Sequence, residues 1–129
     1  MPKKLTLPGA KKTLLFICDN PDVCEPLEML FNMSGYKVDT RADFVTGVSR
    51  AILIEPDFVI VDLTLRDGRA FEVTTFLRIM PEFKLTPIVA LCVDSTDEFH
   101  EEILKRGFSR YFCKPIKFEK IDQYLNSFG

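Results

Sequence analysis

The sequence predicts an α/β domain in which one parallel sheet of five strands carries helices on both faces. Three observations lead there. Short apolar runs alternate with longer stretches whose apolar residues recur at helical spacing, and turn or capping residues punctuate almost every junction. Such alternation builds right-handed crossovers and a parallel sheet. The length, 129 residues, suits a single hydrophobic core without disulfide or metal staples.

Residues Met1 to Lys12 hold two prolines, one glycine and four lysines without periodicity and read as a flexible leader, with the folded domain over 13–129. Thr13 to Cys18 is a nearly continuous apolar run, as expected of a strand covered on both faces. Asn20-Pro21-Asp22 starts a helix, with Leu27, Leu30 and Phe31 at helical spacing as far as Ser34-Gly35, where glycine suits a left-handed end. Pro26 lies inside this stretch, so the spacing predicts an irregular or late first turn. Tyr36 to Thr40 is the second strand and Asp43 to Ile54 the second helix, with Phe44, Val48, Ala51 and Ile52 on one side. Phe58 to Asp62 is the clearest central strand, followed by a polar turn, Leu65 to Arg69, and a helix over Phe71 to Met80. Pro87 to Val93, Thr96 to Lys105, Arg110 to Cys113 and Phe118 to Phe128 complete the alternation as strand, helix, strand, helix.

Composition narrows the function. Hydrophobic residues are 47% and charged residues 28% of the chain, the balance of a globular domain. A formal net charge of -2 offers no basic field for nucleic acid phosphates, so direct nucleic acid binding is not expected. No apolar stretch approaches the roughly 20 residues that span a bilayer, and the basic start has no signal core behind it. A cytoplasmic chain without a membrane partner is the expectation. Cys18, Cys24, Cys92 and Cys113 show no CxxC spacing and the chain has one histidine, so neither a disulfide framework nor a structural zinc site is expected and most of the thiols should be reduced and partly buried; Cys113, beside Lys114, should point to the opposite face of its strand. His100, among acidic neighbours, reads as a solvated helix residue.

In sheets of this kind, ligands bind beyond the carboxyl ends of the strands, where strand order reverses. The residues there are Cys18-Asp19, Asp62, Cys92 and Lys114. Asp19 and Asp62, 43 positions apart, would meet at the tops of the neighbouring first and third strands. Two close carboxylates suit a hard cation such as Mg²⁺. One of them could also attack a phosphoryl donor, with Lys114 stabilising charge on the transferring oxygens. Each residue alone is commonly a cap or a solvated side chain; their joint placement carries the argument.

At this point the sequence resembles the receiver domains of two-component response regulators over residues 13–128. FICDNPDV is similar to the first-strand acidic motif, VIVDLTLRDG to the phosphoacceptor loop, PIVALC to the fourth strand and YFCKP to the lysine motif. The resemblance implies a flavodoxin-like strand order 2-1-3-4-5. It makes Asp62 the phosphoacceptor, Asp19 a metal ligand, Thr64 a ligand through its main-chain carbonyl, Lys114 the phosphate partner and Tyr111 the switch aromatic. Cys18 stands at a position of the usual acidic pair, Cys92 at the Ser/Thr position, Arg66 where proline is common and Ala70 where glycine is common.

The implied function is a signalling receiver, not a metabolic enzyme. It takes a phosphoryl group on Asp62 with Mg²⁺ from a histidine kinase or phosphotransfer protein and passes the change to a downstream protein partner, with a possible homodimer. The second reading is a degenerate receiver working as a phosphorylation-independent interaction module, which Cys18 and Cys92 favour. A flavodoxin-like enzyme or nucleotide-binding protein is disfavoured, because Asp-Asn-Pro stands where a glycine-rich phosphate loop would follow the first strand.

Overall fold

The computed structural model describes residues 10–93 and 96–128. The leader expected over residues 1–12 therefore lies outside the described residues for its first nine positions. Five parallel strands are β1 (Thr13–Ile17), β2 (Lys37–Arg41), β3 (Phe58–Asp62), β4 (Ile88–Cys92) and β5 (Arg110–Cys113). The helices between and after them are α1 (Pro21–Met33), α2 (Phe44–Ile54), α3 (Ala70–Leu77), α4 (Asp97–Lys105) and α5 (Phe118–Asn126). The sheet order is β2-β1-β3-β4-β5, as expected, and every paired strand runs parallel.

Burial explains the order. β3 and β4 are buried along their whole length, and β1 from Leu14 onward, so the three apolar runs fill the centre. The charged β2 and β5 take the edges, where Lys37, Asp39, Arg41 and Arg110 discourage pairing with another chain. Side chains alternate across the sheet into two cores. Leu15, Ile17, Val59, Val61, Ile88 and Ala90 pack under α2, α3 and α4. Leu14, Phe16, Phe58, Ile60, Val89 and Leu91 pack under α1 and α5.

Local chemistry sets most of the helix ends. Asn20 caps α1 by accepting from the Asp22 N–H at 3.1 Å, Asp43 caps α2 through Thr46 at 2.8 Å, and Thr96 caps α4 through Phe99 at 3.3 Å. Gly35 follows α1 with φ 95°, the left-handed conformation expected there. The expected irregular start of α1 does not occur. The helix begins at Pro21 and runs through Pro26, because Pro26 and Asp22 are both exposed and the carbonyl that loses its partner faces water. The third helix is shorter than its apolar spacing suggests, ending at Leu77. Met80 is extended (φ -86°, ψ 129°) ahead of Pro81, as proline demands of its predecessor, and a 3-10 turn follows over Pro81–Phe83.

One side chain does more than its position in sequence suggests. Arg78, just past α3, donates to the carbonyls of Gly107 (3.0 Å), Phe83 (2.5 Å) and Thr86 (2.8 Å) and to Ser109 Oγ (3.1 Å). It satisfies the backbone of two connections at once, and burial pulls its pKa below the usual guanidinium value. On the same face of the sheet, Gly47 lets α2 approach β1. A Cβ there would stand 2.6 Å from Ile17 Cδ1 and 2.9 Å from its Cγ1. Overpacking costs about 1–3 kcal/mol, whereas alanine regains only about 1 kcal/mol of helix propensity. Gly47→Ala is therefore expected to destabilise the domain by about 1 kcal/mol in urea unfolding. A rise in the midpoint would mean that Ile17 repacks freely.

Candidate functional site: a buried carboxylate at the strand ends

The strand ladders continue one residue past their ends, so the residues beyond them are fixed by backbone. Cys18 N–H donates to Arg41 O (2.9 Å), Leu63 N–H to Leu91 O (2.9 Å) and Lys114 N–H to Cys92 O (2.7 Å). Asp62, the last residue of β3, is only 1% exposed. A buried carboxylate is costly without partners, and three groups supply them. Its Oδ1 accepts from the Thr64 N–H (2.9 Å) and hydroxyl (2.6 Å), and its Oδ2 faces Lys114 Nζ at 3.3 Å. Lys114 remains 23% exposed and so reaches the carboxylate from the solvent side.

Asp19 lies beside this group. Its Oδ2 accepts from the Arg66 N–H at 2.7 Å, which ties the loop after β1 to the loop after β3. The departure noted at Arg66 has a physical consequence: a proline there would have no N–H to donate. Gly68 closes the same loop with φ 70°.

The cysteines depart from expectation. Cys18 is bonded to Cys24 as a disulfide with Cα atoms 6.2 Å apart, so this pair is not the pair of reduced thiols expected. The reason is geometric. Cys24 sits on the inward face of the first turn of α1 and returns toward the strand end that feeds the helix, a closure that spacing in sequence does not reveal. Cys18 Sγ also lies 3.8 Å from Asp62 Oδ2, so a neutral sulfur occupies the flank of the carboxylate.

Cys113 turns, as strand alternation requires, to the face opposite its neighbour Phe112, and there it meets Cys92. It is in register with Cys92, and their sulfurs are 2.7 Å apart. Cys92 belongs to the same face, with Ile88 and Ala90. His100 is half-buried, not solvated. Its ring stacks on Tyr111 at 4.3 Å between centroids, with 25° between planes, and its Nε2 is 3.2 Å from Cys113 Sγ. The structure thus gathers Asp62, Lys114, Thr64, Cys18 and Asp19 in one group, and Cys92, Cys113, His100 and Tyr111 in an adjoining one. His100 and Cys113 were missed because only the packing of α4 on β5 brings them together.

Residues 14–126 match the response regulator receiver domain family. The chain is 23% identical over 117 residues to the polar-differentiation response regulator DivK of Brucella anthropi, covering 91% of this chain and 95% of that protein. It is 27% identical over 111 residues to hybrid signal transduction histidine kinase D of Dictyostelium discoideum, of which it spans only 7%. Among solved structures, chemotaxis response regulator CheY4 of Vibrio cholerae superposes with a TM-score of 0.84 at 23% identity, covering 91% of this chain and 98% of that one. The receiver domain of sensor histidine kinase PA1611 from Pseudomonas aeruginosa PAO1 superposes with a TM-score of 0.83 at 25% identity, covering 92% and 97%; it is described with a magnesium ion coordinated in the active site cleft. Among the described residues, no helix is long and apolar enough to cross a membrane.

Proposed function

Since this chain belongs to the response regulator receiver domain family, a family of signalling modules, we propose that it accepts a phosphoryl group on Asp62 and switches a protein-interaction surface in response. One observation carries the reading: a carboxylate only 1% exposed meets Lys114 Nζ at 3.3 Å. In the transfer, an Asp62 oxygen forms a bond to phosphorus while the donor's bond to phosphorus breaks, and the donor leaves with that electron pair. Lys114 offsets charge on the phosphoryl oxygens. Thr64 holds Asp62 Oδ1, which leaves Oδ2, on the Lys114 side, as the attacking atom. The donor is a histidine kinase or phosphotransfer protein. An apolar cleft of about 540 Å³ beside Lys114, lined by Val23, Leu27, Leu30, Ile116 and Phe118 among others, gives such a partner a surface to approach.

Mg²⁺ fits the donor set. Asp19, Asp62 and the Thr64 main-chain carbonyl would hold it, since this cation accepts one or two carboxylates and keeps several waters. It would supply positive charge against the phosphoryl oxygens. Cys18, bonded to Cys24, adds no charge where a carboxylate would add one. Cys18→Asp is accordingly expected to tighten Mg²⁺ binding on the order of tenfold. That is roughly 1.4 kcal/mol, well under the ~4 kcal/mol that two unit charges about 4 Å apart contribute near a protein surface. An unchanged titration would mean that position 18 does not face the cation.

The output surface is the face of α4, β5 and α5, with Tyr111 as the moving aromatic. Its mixed charges, Glu101, Glu102, Lys105, Arg110 and Lys120, suit self-pairing in a two-fold dimer as well as a downstream partner. The reading puts the chain in the cytoplasm, where disulfides are rare, so Cys18–Cys24 is a reducible pair in that setting.

The test is incubation with acetyl phosphate and Mg²⁺, read by intact mass, and with beryllofluoride, read by NMR of the Tyr111 ring and by sedimentation. Gain of one phosphoryl mass that requires Mg²⁺ supports the proposal. The disulfide at the acidic position favours the second reading, a phosphorylation-independent interaction module. A chain that takes no label in either redox state, yet keeps its binding surface, would establish it instead.

A further inference from the structure

We propose that Cys92, Cys113 and His100 form a second metal site, selective for a soft or borderline ion such as Zn²⁺ and distinct from the oxygen ligands around Asp62. Among the described residues, these three side chains converge so that their ligand atoms all lie within 4.8 Å of one another. They come from separate elements. Cys92 ends β4, Cys113 ends β5 directly opposite it in register, and His100 projects from the first turn of α4. His100 Nε2 is 3.2 Å from Cys113 Sγ, and the two sulfurs are 2.7 Å apart.

Ligand chemistry identifies the ion. Two sulfurs and an imidazole are poor ligands for Mg²⁺ or Ca²⁺ and good ones for Zn²⁺. Two thiolates on a tetrahedral zinc, each at about 2.3 Å, stand about 3.7 Å apart, so the sulfurs must open by about 1 Å. Cys92 is fully buried, whereas Cys113 is partly exposed and is the one able to move. Two sulfurs this close can share a cation or oxidise to a disulfide. His100 separates the alternatives, because a disulfide has no use for a third ligand pointing at it. The Tyr111 ring stacks on the imidazole, so the proposed histidine ligand is in direct contact with the switch aromatic. The partial exposure of His100 and Cys113 leaves an entry path, and three protein ligands leave a fourth position for water.

An occupied site would tie α4 to the ends of β4 and β5, with Tyr111 stacked on its histidine ligand and its ligand Cys113 directly before Lys114. Metal occupancy and the state of the signalling surface would then be linked through the same strand ends.

The full chain, reduced with a phosphine, is titrated with Co²⁺ and then with Zn²⁺. The expected result is one Co²⁺ per chain, with the visible bands of tetrahedral cobalt and a thiolate-to-cobalt charge-transfer band, both removed by Zn²⁺. Cys92→Ser and Cys113→Ser should abolish the charge-transfer band or halve it. Each of these and His100→Ala should weaken Zn²⁺ binding by about 100-fold or more, above the roughly 10–100-fold typical of residues that only support a ligand. His100 is partly exposed, so its variant remains informative if Cys92→Ser fails to fold. Three results would overturn the proposal: cobalt binding without thiolate bands, unchanged Zn²⁺ affinity in His100→Ala, or formation of a Cys92–Cys113 disulfide, two hydrogens lighter, at an undiminished rate with stoichiometric Zn²⁺ present.

Discussion

Asp62→Asn is expected to remove the acid-labile phosphoryl label completely, the largest functional effect of any single change in this chain. The amide keeps the shape of the side chain but carries no charge and has only one oxygen. It cannot supply the anionic nucleophile that forms the acyl phosphate. Thr64 would still find an acceptor in the remaining oxygen, and Lys114 would lose its counter-charge. Folding should survive, because a neutral amide is less costly to bury than a carboxylate. The measurement is intact mass after exposure to acetyl phosphate and Mg²⁺, with circular dichroism as the check on folding. Lys114→Ala should leave the acceptor in place and slow labelling, separating the nucleophile from the group that stabilises charge. A folded Asp62→Asn chain that gains the same label would move the acceptor elsewhere, with Asp19 the first alternative to test.

Phe31→Ala is expected to cost about 3–5 kcal/mol, the range for emptying a buried phenylalanine site. Phe31 is fully buried in the last turn of α1, and its ring meets Tyr36 edge-on at 5.4 Å and Phe118 at 4.9 Å. These contacts join α1, the start of β2 and the start of α5. Tyr36 in turn donates its hydroxyl to Asp122 at 2.9 Å, and burial together with that carboxylate pushes the phenol pKa up. With a domain stability of about 5–15 kcal/mol, the loss is a third or more of the total in most of that range. Urea unfolding should show a much lower midpoint. Leu85→Ala, on a side chain 83% exposed, should change stability by less than about 0.5 kcal/mol. A Phe31→Ala cost below about 1 kcal/mol would mean that the aromatic cluster collapses to fill the space.

The sequence by itself determined the order of elements, the burial of the three central strands and the residues that stand at their carboxyl ends. These follow from short-range signals: apolar period, Asn20-Pro21-Asp22 as a helix start and Ser34-Gly35 as a stop. Asp62 and Lys114 were legible for the same reason, since both are named by the strand they terminate. Only the tertiary structure decided what those strand ends face. The register of β4 on β5 sets Cys92 against Cys113, the rotation of α1 turns Cys24 back onto Cys18, and the packing of α4 brings His100 to a sulfur and to Tyr111. The Arg66 N–H on Asp19 and the Arg78 guanidinium on two distant connections belong with them. Each depends on the relative placement of elements far apart in sequence, which periodicity and capping do not encode. The fold was therefore readable from local chemistry, and the second cluster beside Asp62 was not.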